Sequence, residues 1–195
     1  MTFGELGDLV VLTLRDPSGF VRTMRRVDPP TGARWMALAL AVSLSTLLAM
    51  LARLAFPLPA DDPLAGLLAS PAMLATVQFG ALAFLAALIT AIGRLFGGAG
   101  TFADALLLIA WVELILVGLQ AAQLALMVVL PGTGSLMSLV ALGMSIYLTI
   151  ALTRALHGFS STAKVAVTFI GGIFVMGFLL SLIAAAFGIL PEVTP

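Results

Sequence analysis

The sequence predicts an all-α integral membrane protein: a bundle of five transmembrane helices preceded by an N-terminal amphipathic interfacial segment. Three observations predict it. Of 195 residues, 62% are hydrophobic and only 9% are charged, where a soluble domain carries about 25% charged residues. Mean hydropathy is +1.20, so the bilayer is the natural solvent for such a surface. Five apolar stretches reach the length of about 20 residues that a helix needs to cross the hydrocarbon. Helices satisfy their own backbone there, and barrel strands are about half as long.

Residues 1–34 are a cytoplasmic amphipathic tether. "FGELGDLVVLTL" reads as a short apolar helix. Asp16 then reads as an N-cap with Pro17 at the first helical position. The helix they open carries Phe20, Val21 and Met24 on one side and Arg22, Arg25 and Arg26 on the other. That pattern suits a helix lying in the interface with its arginines toward lipid phosphates, or one packed on the protein's own loops. Glu5, Asp8, Asp16 and four arginines within residues 1–30 do not read as a signal peptide.

Residues 35–190 are the membrane domain. The first span is expected over 35–56, stopped by Pro57 and Pro59, and the second over 72–92, with Pro71 at its start. The third is expected over 104–130, before Pro131, and the fourth over 135–156. The fifth is expected over 163–190, followed by an extracytoplasmic tail, 191–195. With five spans, Arg15, Arg22, Arg25, Arg26, Arg34, Arg94, Arg154 and Lys164 share one side, and of the basic residues only Arg53 lies on the other. The positive-inside rule then places the N-terminus in the cytoplasm and the C-terminus outside.

The segment "RLFGGAGTFADAL", residues 94–106, has the glycines of a phosphate loop but no Gly-Lys-Ser/Thr, and no strand precedes it. It reads as a hairpin between spans, in which Gly97, Gly98 and Gly100 let the chain turn. Thr101 and Asp104 form a start resembling a capping box. Gly158 reads as the C-cap of span four after His157.

Three segments in this order carry a family resemblance: "TLRDPSGFVRTMRR", "GRLFGGAGTFADALLLIAW" and "ALTRALHGFSSTAKV". With them the chain resembles the Yip-domain family, the Ypt/Rab-interacting membrane proteins, in its bacterial branch, from about residue 13 to 188. The resemblance implies five spans, a cytoplasmic N-terminus and a bacterial inner-membrane location. In eukaryotes the family works in trafficking, binding Rab-type GTPases and shaping membrane. The long N-terminal region and Asp-Leu-Tyr-Gly-Pro motif of those members are not found here, so Rab binding is not carried over.

With no cysteine and a single histidine, disulfides, thiolate catalysis and a multi-histidine metal site within one chain are excluded. No cofactor, metal or nucleic-acid partner is expected. Ser145 and His157 lie 12 residues apart on one predicted helix, about 18 Å along its axis, too far for a catalytic hydrogen bond. Glu113 lies about nine residues into span three, roughly 13–14 Å from its start. A carboxyl there faces the bundle interior, pairs or titrates. Gln120 shares its face and Gln123 lies close to it, making a candidate intramembrane polar site. Its structural reading is a glutamic acid hydrogen-bonded to another span through Gln78, Tyr147 or Thr149.

The candidate cytoplasmic-face contacts are Arg22, Arg25, Arg26, Arg94, His157 and Lys164. The expected function is a non-enzymatic, Yip-like scaffold, adaptor or membrane organiser acting through that face. Its expected partners are anionic lipid headgroups, further copies of itself or other membrane proteins. The alternative is a small proton-linked transporter or channel using Glu113.

Overall fold

The computed structural model describes residues 2–57, 70–167, 169–171, 174 and 181. The segment between the first two spans with Asp61 and Asp62, most of the expected fifth span (163–190) and the tail 191–195 lie outside the described residues. Among the described residues there is no strand.

Helix α1, Phe3–Arg15, begins at a capping box: Thr2 Oγ1 accepts from Glu5 N at 3.3 Å, and Glu5 Oε2 accepts from Thr2 N at 2.8 Å. Helix α2, Pro17–Val27, starts where the sequence predicts, with Asp16 Oδ1 accepting from Gly19 N at 2.8 Å. It ends at Asp28, whose φ of 41° is left-handed. Pro29 and Pro30 then prevent continuation.

Four long helices follow: α3, Thr31–Ala55; α4, Pro71–Leu95; α5, Phe102–Val129; and α6, Gly134–His157. Their 24 to 28 residues are long and apolar enough to cross a membrane. They correspond to the first four expected spans. Ser70 Oγ caps α4 and Thr101 Oγ1 caps α5. A single 3₁₀ turn, Pro131–Thr133, joins α5 to α6. Gly158, at φ 71°, closes α6 as its left-handed C-cap. Residues 162–167 begin a further helix.

Helix α5 is the centre of the bundle and touches α3, α4 and α6. The buried core is not spread along it. Its members are Leu38 and Val42 near the start of α3, and Ala86 and Ile89 in the second half of α4. Leu106, Leu108, Ile109 and Val112 near the start of α5, and Leu148, Leu152 and Leu156 late in α6, belong to it as well. Because successive helices run antiparallel, these positions coincide at one end, here called the basal end. Toward the opposite end Leu47, Leu51 and Leu54 of α3, Val128 and Val129 of α5, and Leu136 and Leu139 of α6 are exposed. Such a surface suits hydrocarbon.

The N-terminal helices differ from one of the two expected arrangements. The apolar face of α2 is not turned toward lipid. Phe20, Val21 and Met24 are all buried in the same core cluster as the spans, and α2 packs against α6. Phe20 stacks on Trp111 of α5, with centroids 5.4 Å apart. The amphipathic pattern fits either solution. The bundle wins because it offers an apolar surface to α2 together with polar anchors for the adjoining α1. Trp111 Nε1 donates to the fully buried Thr13 Oγ1 at 2.9 Å, and Tyr147 Oη donates to Leu14 O at 3.0 Å.

Candidate functional site

Polar chemistry gathers at the basal end. Arg34, in the first turn of α3, is only 5% exposed. Its Nη1 donates to Asp104 Oδ1 at 2.7 Å, its Nη2 to Asp28 Oδ1 at 2.5 Å, and its Nε to Pro29 O at 2.8 Å. A guanidinium serves this site because its planar fork holds several donors in fixed directions. Asp104 also faces Arg25 of α2, with Nε 3.5 Å from Oδ2. Arg25 Nη2 donates to Leu156 O at 2.9 Å, satisfying a carbonyl in the last turn of α6. One carboxylate on α5 thus ties α2 to α3, and one arginine on α2 reaches the end of α6.

Asp104 does not close a reciprocal capping box, and its carboxylate is shared between the Thr101 side chain and the two arginines. Aspartate is one methylene shorter than the glutamate of a capping box, and two arginines stand within reach. Thr101 Oγ1 still accepts from Asp104 N at 3.1 Å.

His157 sits beside this network, and its ring points inward. It is 4% exposed. Its Nδ1 accepts from Gly100 N at 3.3 Å, so the neutral ring carries its proton on Nε2. Phe159 stacks on it, centroids 5.4 Å apart. Three glycines make the room. A Cβ at Gly98 would lie 2.6 Å from His157 Cβ, and one at Gly100 would lie 2.7 Å from Cε1. A Cβ at Gly93 would fall on the ring itself. Of the loop glycines only Gly97, at φ 79°, is required by backbone conformation. Gly98 and Gly100 are required by the imidazole. Arg94 Nε donates to Gly100 O at 3.3 Å and closes the loop from outside.

Of the other candidate basal contacts, Arg22 is exposed and pairs with Asp16 at 3.3 Å. Such a surface pair contributes little to stability. Arg26, Arg94 and Lys164 are exposed. The outward basic groups of the basal end are therefore Arg22, Arg26, Arg94 and Lys164, while Arg25 is shared between surface and network.

The polar residues along α5 do not form one cluster. Glu113 Oε1 accepts from Gln78 Nε2 of α4 at 2.8 Å, and the same Nε2 lies 3.1 Å from Ser45 Oγ of α3. Three helices therefore meet at one polar point inside the apolar bundle. Of the three partners considered for Glu113, Gln78 makes the bond, while Tyr147 reaches α1. Gln123 is separate. Its Nε2 donates to Gly134 O at 3.2 Å and lies 3.1 Å from Ser138 Oγ, pinning the turn into α6. Gln120 is partly buried between these two points.

The Arg34 network and the imidazole cradle escape sequence reading, though a signal for the first exists. Arg34 and Asp104 each occupy the first turn of a span that starts on the same side. Opposite charges at one depth on neighbouring helices are candidates to pair. No comparable signal links His157 to Gly98.

A sequence description of the Yip1 domain matches residues 11–184 of the chain. No curated protein and no solved structure matches it. The matched range takes in the last residues of α1, all of α2 and the four long helices.

Proposed function

The chain belongs to the Yip1-domain family of membrane proteins, and from that premise we propose that it is a non-enzymatic scaffold or adaptor that works through its basal face. The observation that carries the reading is the construction of that face. Arg34, Asp104, Arg25 and His157 hold the helix ends and loops in one arrangement, while Arg22, Arg26, Arg94 and Lys164 project from it. A fixed frame bearing exposed cations suits anionic lipid headgroups and acidic segments of other membrane proteins. Association with further copies of the chain belongs to the same reading.

In this reading residues 163–190 supply a fifth span, the basal face is cytoplasmic, the C-terminus is outside, and the membrane is a bacterial inner membrane. The support is the basic bias of one side. A cytoplasm-active reporter fused after Pro195 is expected to be inactive, and activity there would overturn the topology. The scaffold role is tested by cross-linking in native membranes with mass spectrometry. Reproducible cross-links from the basal face to a partner or a second copy are expected. A chain that yields neither is not a scaffold.

A second reading, a proton-linked transporter or channel, is favoured by one observation: Glu113 is hydrogen-bonded within the bundle to a side chain of another span. Proteoliposomes decide it. Proton flux that Glu113→Gln abolishes would support transport, and absence of flux in the wild type would remove it.

A further inference from the structure

The loop between α4 and α5, residues 96–101, is closed onto the end of α6 by one histidine. His157 O accepts from Ala99 N at 3.5 Å, and His157 Nδ1 accepts from Gly100 N at 3.3 Å. The loop's other bonds run to the end of α4: Gly97 N donates to Arg94 O at 3.0 Å, Gly98 N to Gly93 O at 2.8 Å, and Arg94 Nε to Gly100 O at 3.3 Å. Thr101 already belongs to the cap of α5. We propose that His157 is a proton-operated latch: neutral, it holds residues 98–100 against α6, and protonated, it releases them and opens the basal face between α4 and α6.

Hydrogen-bond chemistry sets the direction. A backbone N–H only donates, so the Nδ1 that faces Gly100 must be without a proton. An imidazolium carries a proton on each nitrogen, and its Nδ1–H would meet the Gly100 N–H donor to donor. The ring cannot turn away while the cradle is closed. The backbones of Gly93, Gly98 and Gly100 lie so near it that a Cβ on any of them would collide with imidazole atoms, and Phe159 stacks on it. Movement of the ring therefore moves the loop. The loop has little apolar hold of its own: Phe96, Gly97 and Ala99 are exposed, and no residue of 96–101 belongs to the core cluster. Its release leaves that cluster in place.

The surroundings offer an imidazolium no welcome. Among the described residues the charged groups acting on the ring are Arg25 of α2 and Arg94 of α4, both cationic. Asp104 of α5 is engaged by Arg34, Arg25 and Thr101, and Arg154 of α6 and Lys164 beyond it add positive charge to the same end. His157 lies one residue past the expected fourth span, 135–156, against the loop. Burial there, and then the two arginines, hold the imidazole below its ordinary range, and the opposing carbonyl of Ile89 on α4 does not outweigh them. An imidazole freed into water titrates at about 6.5. The closed form thus binds a proton less readily than the open one. The contribution of His157 to closure is complete above about pH 6.5 and is lost as pH falls below it, by up to about tenfold in the closed-to-open ratio per pH unit. Where the basal face docks a partner, as proposed above, the latch makes the shape of that face respond to acid.

The full-length chain in nanodiscs tests this, and its single histidine makes the ring signals unambiguous. With nitrogen-labelled histidine, magnetic resonance is expected to show the Nε2–H tautomer at neutral pH and a midpoint below about 6.5. Amide hydrogen exchange over residues 97–100, corrected for the chemical rate at each pH, is expected to be constant above about pH 6.5. Below it, exchange quickens by up to about tenfold per pH unit. Exchange over residues 106–112 of α5 stays constant and reports an intact bundle. His157→Asn does not titrate, so exchange over 97–100 in that variant should be independent of pH. It is slow if the asparagine carbonyl accepts from Gly100 in place of Nδ1, and fast if the loop stands open without the imidazole; either supports the latch. A wild-type midpoint at or above about 6.5 overturns it, as does wild-type exchange over 97–100 that ignores pH. Acid-dependent exchange that persists in His157→Asn belongs to another group and overturns it too. Cross-linking plays no part in these readouts, so the latch and the scaffold reading fail separately.

Discussion

Helix α3 carries one arginine near each end, and the two live in different worlds. Arg34 is buried at the basal end and gives its guanidinium to two carboxylates and a carbonyl. Arg53, in the last turn, has no ion-pair partner among the described residues and is partly exposed. The contrast extends to the helices around them. At the basal end, ion pairs, a caged imidazole and a dense core hold α2, α3, α5 and α6 together. At the opposite end, leucines and valines face outward. Between helices in hydrocarbon there is little hydrophobic driving force, because lipid is as apolar as leucine. Register and order must come from close packing and polar contacts, and this chain concentrates both at the end that its loops and N-terminal helices cover.

The largest effect that can break this contrast is loss of Arg34. Arg34→Met leaves Asp104 with the longer contact to Arg25 and the Thr101 side chain, and leaves Pro29 O without its donor. Breaking a buried pair by removing one partner costs about 3–5 kcal/mol. Arg53→Met is expected to stay within about 0.5 kcal/mol, as substitutions away from special features do. Thermal denaturation of both variants in the same detergent checks it. Equal shifts would mean that the two ends do not differ in how they hold the bundle.

Glycines sharpen the same contrast. Gly98→Ala would drive a methyl into His157, an overpacking that typically costs about 1–3 kcal/mol. Gly80 of α4 and Gly143 of α6 have open space where a Cβ would go. Alanine there is expected to stabilise by up to about 1 kcal/mol through helix propensity. The opposite signs are the prediction. The cradle itself is tested in a double-mutant cycle. Gly93→Ala, whose Cβ would meet the imidazole ring first, should cost less in a His157→Ala background, with a coupling of roughly 0.5–3 kcal/mol.

What the sequence made legible, and what it hid, divides along a related line. Local signals were sufficient for Asp16 with Pro17, for Thr101 and for Gly158, because a cap depends on a few adjacent residues. The four described spans were legible because hydropathy is additive along a helix. The docking of α2 was not decided, since an amphipathic face serves lipid and protein equally. The cradle was hidden because Gly98 and Gly100 read as turn residues until the structure brings His157, more than fifty positions away, against them. The Arg34–Asp104 bond was hidden for the same reason, although Glu113, as a carboxyl deep in a span, already announced that it needed a partner from another helix.

A smaller change probes the attachment of the N-terminal helices. Trp111→Phe keeps an aromatic ring against Phe20 and removes the donor to Thr13. Loss of one such hydrogen bond is worth about 1 kcal/mol. The cost should appear as faster limited proteolysis within residues 2–27, with cleavage elsewhere unchanged. Proteolysis that speeds up throughout the chain would show that α1 and α2 are integral to bundle stability and not a separately releasable cover.

The smallest net effect is expected when Glu113 and its partner are removed together. A charge or an unpartnered dipole inside a span is costly, but a pair removed together need not be. Glu113→Leu alone leaves Gln78 with Ser45 as its remaining partner, and Gln78→Leu alone leaves the carboxyl with Ser45 as its remaining partner. Each should destabilise by about 1–3 kcal/mol, the cost of a buried polar group left without its partner. The double variant Glu113→Leu with Gln78→Leu should return close to wild-type stability, because two apolar side chains then meet where two polar ones did. Thermal midpoints of the four proteins measure this directly. Recovery in the double variant would make the pair a structural contact that the fold can do without, so any effect of Glu113→Gln on proton flux could then be assigned to the carboxyl's chemistry. A double variant as damaged as the sum of the singles would mean that the polar point itself holds α3, α4 and α5 in register. The upper half of the bundle would then rely on polar contacts as the basal end does.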